Sequence, residues 1–263
     1  MRSRKAGAPL LGVGLALLLA GPTAAQEEPA PTPTTASGRA VITGRDSLPP
    51  LSAVAEILVP RDTLNLPVRI GERVRVRGVF TTGPRVVGRA THIANFQDST
   101  AGVAIFAPDT VTLTMFGPGD SVEVAGILAH NDGMEEIRID RIARLGRTRV
   151  PAPIDVDAAD IPGEEYSGLL VRVSGRVSME RGDAGTLQIV DASGAVPVYV
   201  RRAYLDSEQF AHELFAAREA TIVGIAAQND PEAPYDDGYD LLPRTPEDYN
   251  FRLPPQYLYW GLV

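Results

Sequence analysis

The run Gly126-Ile127-Leu128-Ala129-His130-Asn131-Asp132 returns as Gly224-Ile225-Ala226-Ala227-Gln228-Asn229-Asp230, with five of seven positions identical at a constant offset of 98. Flanking segments echo each other in the same order. Val74-Arg75-Val76-Arg77-Gly78 matches Val171-Arg172-Val173-Ser174-Gly175. Phe96-Gln97-Asp98 followed by Val103-Ala104-Ile105-Phe106 matches Ile189-Val190-Asp191 followed by Val196-Pro197-Val198-Tyr199. A period near 97 residues is too long for a solenoid unit, so the chain reads as two copies of one whole domain. Even the lead-in recurs, Val54-Ala55-Glu56-Ile57 against Ala158-Ala159-Asp160-Ile161.

Each copy is patterned as short strands. Apolar residues alternate with polar ones through Val68, Ile70, Val74, Val76 and Phe80, with Gly71-Glu72 as a bulge within the run. Further strands are predicted at Thr91–Asp98, Gly102–Ala107, Ser121–Ala129 and Glu136–Ala143, separated by Gly, Pro, Asn and Asp turns. Five strands in about 80 residues is the signature of a small antiparallel barrel or sandwich, an all-β class. Two short helices are predicted besides. Leu51, Val54, Ala55 and Leu58 give an amphipathic stripe behind Pro49-Pro50, and Tyr204–Ala217 carries Leu205, Leu214 and Phe215 among helix formers. The matching stretch of the first copy, Pro108–Gly119, is rich in β-branched residues, Gly and Pro and reads as non-helical.

The ends differ from this body. Arg2, Arg4 and Lys5, the apolar run Leu10–Ala20 and Thr23-Ala24-Ala25 form a secretory leader over residues 1–25. Residues 26–50, with Pro29, Pro31 and Pro33, read as a disordered tether. The domains then fall at 51–148 and 149–251, and residues 252–263 form a Pro-broken tail. Its Tyr257-Leu258-Tyr259-Trp260 has the aromatic-led look of a segment entering a membrane, and equally of a tail folded back on a barrel. The net charge of −8 becomes −11 without the leader's three cations, which disfavours nucleic acid as a partner. The chain has no Cys, so an exported form must be held by packing.

Five strands, a helix between the third and fourth, and a Gly closing the first apolar run resemble the OB-fold. The Phe96-Gln97-Asp98-Ser99-Thr100-Ala101-Gly102-Val103 hairpin resembles that of OB domains in exported bacterial proteins, including OB modules of secreted nucleases and the extracytoplasmic region of membrane-anchored sensors. The resemblance implies two tandem five-stranded Greek-key barrels, and a ligand site on strands two and three and the loop after strand four.

That loop is where the echo sits, so His130, Asn131, Asp132, Gln228, Asn229 and Asp230 are candidate ligand-binding residues, although Asn-Asp-Gly is also ordinary turn chemistry. Arg73, Arg75 and Arg77 share one strand face and are candidates to grip an anion, or else a solvated row balanced by acids. Phe80, Phe96 and Phe106 are expected in the core. The acidic loop 229–240 matches no calcium motif, and no metal or cofactor is expected. Three scattered His, no Cys nucleophile and no phosphate-cradling loop argue against an enzyme. Asp98 and Asp191 recur at equivalent turns, which suits structure rather than an acid–base pair. The sequence thus points to a non-catalytic, exported tandem OB region binding a small ligand or protein partner, read as the sensing part of a membrane-anchored signalling protein. A secreted oligonucleotide-binding protein and a structural scaffold are its alternatives.

Overall fold

A computed structural model describes residues 47–84, 86, 92–179 and 186–255. The leader, most of the tether and the aromatic run Tyr257–Val263 lie outside them. Five strands of the first copy close on themselves: β1 (Arg73–Phe80), β2 (Ile93–Gln97), β3 (Gly102–Phe106), β4 (Asp120–Asn131) and β5 (Met134–Arg147), in the order β1-β2-β3-β5-β4 and back to β1. All neighbours are antiparallel except β3 and β5.

The second copy repeats this. The short β6 (Ile154–Asp155) is followed by β7 (Leu170–Met179), β8 (Thr186–Val190), β9 (Ala195–Tyr199), β10 (Glu219–Gln228) and β11 (Tyr239–Leu242), with β12 (Tyr249–Arg252) last. β7 to β11 close in the same order through a β10–β7 pairing, and β6 and β12 add to the edges. The architecture is two tandem OB-like barrels, all-β with short helices. Each encloses its own core. Val74, Phe80, Phe96, Ile105 and Ile137 fill the first, and Val173, Ile189, Val198, Ile222 and Leu241 the second.

The helices sit where the barrels need covers. Between β9 and β10 lie α2 (Arg202–Leu205) and α3 (Glu208–Ala216), after the lead-in α1 (Val54–Leu58). Ser207 caps α3, whose Phe210 and Leu214 enter the second core beside Tyr249 and Phe251. The first barrel uses a single 3-10 turn, Thr112–Met115, and buries Leu113 there.

Three expectations are corrected. Pro67–Glu72 is not strand but a turn, with Gly71 at φ +89°, so the first strand begins only at Arg73 and Val68 is exposed. Leu51 lies outside α1 and is exposed, and the buried face of that helix is Val54, Ile57 and Leu58. Phe106 is half-buried on the outer face of its barrel, with the Arg138 guanidinium 5.8 Å from its ring centre.

One hydrogen-bond device is duplicated with the sequence. Asp98 Oδ1 accepts the Thr100 and Ala101 amides of its own hairpin at 2.7 and 3.0 Å, while Oδ2 accepts the Val54 amide at 2.8 Å. Asp191 Oδ1 accepts Ser193 and Gly194 at 2.7 and 3.0 Å, and its Oδ2 accepts Ala158 at 2.7 Å. Thr100 and Ser193 each accept the next lead-in amide, Ala55 and Ala159, at 3.0 Å. One carboxylate thus shapes the β-turn and pins the lead-in to it. The bond from the Ser193 hydroxyl, followed by that from the Ala158 amide, holds the Asp191 carboxyl down to about 2.

A carboxyl depressed in the fold stabilises it above its unfolded pKa and loses that effect as pH falls through the folded one. Asp191→Asn is therefore expected to melt below wild type at neutral pH. The gap should narrow between about pH 4 and pH 2 in thermal melts.

Candidate functional site

The two barrels meet, within one compact unit, on the face where the resemblance places ligands. On β2 and β3 of the first barrel, Asn95, Gln97 and Ala104 point outward from the core yet are buried. Gln97 Oε1 accepts the Leu170 amide at 3.0 Å. A side chain at Gly102 would lie 2.1 Å from the Gly168 carbonyl oxygen, so the two backbones touch and neither position has room for a Cβ. Part of the β2–β3 face of the first barrel is therefore covered by the second barrel.

The echo segments form the other half of this joint. The β4–β5 hairpin turns through Asp132 and Gly133, at φ 48° and 87°, which is the tight two-residue turn. The corresponding loop of the second barrel, from Asn229 to Gly238, is long because it wraps that turn. The Asp230 amide donates to the Asp132 carbonyl at 2.8 Å, and the His130 and Tyr235 rings pack against each other, tilted by 57°, with centres 4.4 Å apart. Gln228 Nε2 donates to the Tyr235 and Asp237 carbonyls at 2.8 and 2.9 Å, and the Asp230 carboxylate accepts the Glu232 and Asp237 amides. Beside them Arg61 lies between Glu135 at 2.6 Å and Glu164 at 2.7 Å, and Glu164 also accepts from Asn65 and the Tyr239 hydroxyl at 2.8 Å. Burial, followed by the Glu135 charge, raises the Glu164 carboxyl above its ordinary value.

Between the barrels this joint leaves a cleft of about 370 Å³. Asn131, Asp132, Gln228 and Asn229 line it, with Ile93, Ala104, Met134 and Glu136 from one barrel and Tyr199, Asp240 and Leu242 from the other. His130 and Asp230 serve the joint. Arg73, Arg75 and Arg77 lie elsewhere, on β1. Arg73 makes a two-pronged pair with Asp140, and Arg75 and Arg77 share Glu123. The Glu123 carboxyl is held down by the Arg75 hydrogen bond and raised somewhat by its burial. Among the described residues no group of three or more His, Asp or Glu side chains converges to hold a metal ion. A larger concavity, about 710 Å³, lies on the second barrel alone and borders Asp191, Glu219 and Arg252. Asp191 is committed to its turn and Glu219 to Arg252, whereas the shared cleft is lined by both echo segments, and that makes it the candidate site.

Two cleft residues escape a reading of the sequence. The registers Ala129↔Glu136 and Ala227↔Asp240 make Glu136 and Asp240 counterparts, one per barrel, both in the cleft. Their offset is 104 rather than 98, because the second loop is longer, so matching at constant offset hides them. The pair Glu136-Ile137 against Asp240-Leu241, acid then core aliphatic, is the signal that would have shown them. Glu136 is held by Arg138 at 2.7 Å. Burial pushes the Asp240 carboxyl up to about 7.

No protein-family model matches the chain and no curated protein matches its sequence. Solved structures similar to parts of it include the hypothetical protein ygiW from E. coli, at 18% identity and TM-score 0.29 over 39% of this chain and 100% of that one. An OBody bound to hen egg-white lysozyme aligns at 21% identity and TM-score 0.30, over 39% and 99%. A murine DNA binding protein bound with double-stranded DNA aligns at 14% identity and TM-score 0.32, over 47% and 72%.

Two outcomes follow. Gly102→Ala should cost about 1–3 kcal/mol in denaturant unfolding and expose the Leu170 amide to hydrogen exchange, because two backbones must separate. A carboxyl raised in the fold destabilises it above the folded pKa, and that cost disappears as pH falls toward the unfolded value. Asp240→Asn should therefore be more stable than wild type at pH 8, by up to about 4 kcal/mol, with the gap closing as pH falls toward about 4.

Proposed function

We propose that this chain is a non-catalytic binding protein whose two barrels hold a small ligand in the cleft between them. The carrying observation is that both copies of the echo, and the matched carboxylates Glu136 and Asp240, line that single space. A preformed concavity of this size, with apolar walls and a few polar groups, is the ordinary form of a small-molecule site. The leader pattern supports an extracytoplasmic setting, and the sensing part of a membrane-anchored signalling protein is the use we propose for it.

The DNA-bound neighbour raises the nucleic-acid alternative, and two features of this chain speak against it. The chain is acidic overall. The cleft itself carries Asp132, Glu136 and Asp240, and a phosphate backbone would meet repulsion there.

A fragment library screened by amide chemical shifts tests the proposal. Hits are expected to move residues 131–136, 227–229 and 240–242 together, and shifts scattered over both barrels would contradict it. In parallel, a fluorescent single-stranded oligonucleotide should show no anisotropy change at low ionic strength, where electrostatic binding is strongest. Tight, salt-sensitive binding would replace the proposal with the nucleic-acid reading.

A further inference from the structure

The two barrels present the same carboxylate to the cleft in different company. In the first, Glu136 is followed two residues on by Arg138, on the same strand face, and the two pair at 2.7 Å. In the second, the position that corresponds to Arg138 is Leu242, so no cation answers Asp240 from its own strand. Among the described residues, the other charged side chains on the cleft, Asp132 and Glu136, are acidic, and Tyr199 is the remaining titratable group. A partly buried carboxylate without a counter-ion is costly to the fold, and the pressure of burial on its ionisation reflects that cost.

Gln228, which lines the same space, is spent on the joint. Gln228 is 2% exposed, and its amide orientation is fixed because Nε2 faces two carbonyls. That leaves Oε1 buried against the Asp132-Gly133 turn with no donor. The cleft thus offers one carboxylate that wants N–H donors, that of Asp240, beside the apolar Ile93, Ala104 and Leu242.

We propose that the cleft takes a small primary amine, its ammonium on the Asp240 carboxylate and its carbon body against Ile93, Ala104 and Leu242. This rests on the cleft being the ligand site and adds the chemical class of the ligand. The missing Arg is the specificity device: where the first barrel neutralises its carboxylate internally, the second leaves the charge for the ligand.

Phenethylamine, 2-phenylethanol and 3-phenylpropionate, alike in shape and different in charge, titrated into the labelled protein at pH 8 test this. The amine is expected to shift residues 227–229 and 240–242 in saturable fashion while the alcohol and the acid do not. Affinity should fall about tenfold in Asp240→Asn, and as much in Leu242→Arg, which restores the internal pair and keeps the carboxylate. It should also fall as pH drops through about 7 and Asp240 takes a proton while the amine stays charged. Equal binding of the amine in Asp240→Asn, with its fold verified by amide spectrum, would overturn the proposal. Binding of the alcohol or the acid in the cleft without the amine would overturn the amine assignment and leave the cleft as a ligand site. No shift from these three or from the fragment library would overturn both.

Discussion

Everything distinctive about this protein follows from how closely the two barrels approach each other at Gly102 and Gly168. Backbone rests on backbone there, so even one methyl group would force the halves apart. That contact fixes where Gln97 reaches the Leu170 amide and brings the first barrel's hairpin turn into the second barrel's long loop. Arg61 then ties Glu135 of one barrel to Glu164 at the approach to the other. A buried ion pair of this kind adds little net stability, but losing one member leaves a charge stranded, so the joint resists partial opening. The cleft is the space this arrangement fails to fill.

Duplication explains the geometry, and divergence explains its use. Both copies keep the Asp-centred turn that pins the lead-in, the closing order of five strands and an acid at the same register position. They part at the rim. His130 packs against Tyr235 while Gln228 folds the loop, and Arg138 is replaced by Leu242. Two domains that began with equivalent surfaces have been joined so that one covers part of the other's β2–β3 face. An uncompensated carboxylate is left at the seam.

Much of this was legible in the sequence. Period-two alternation and turn residues gave strand positions to within a few residues, because burial on one face and solvent on the other impose that period locally. The helix over Arg202–Leu205 and Glu208–Ala216, and the single turn at Thr112–Met115, matched the predicted contrast between the copies. The misses have a common origin in tertiary context. The alternation running through Val68 and Ile70 continues into a turn held by Gly71, and Phe106 looks like core but faces Arg138 on the barrel's outside. No local pattern records that a neighbouring barrel will meet Gln97 and Ala104. Nor does one show that Asp240 and Glu136 will share a space, since a loop insertion breaks their spacing.

The central claim is that the two copies act as one rigid body with a ready-made cleft rather than as beads on a linker. Residual dipolar couplings from a weakly aligned sample test it most directly, because they report the orientation of every amide against a common frame. The account predicts that one alignment tensor fits the strands of residues 73–147 and 170–252 together. Two distinct tensors, each fitting one barrel only, would show the barrels reorienting independently and would contradict it.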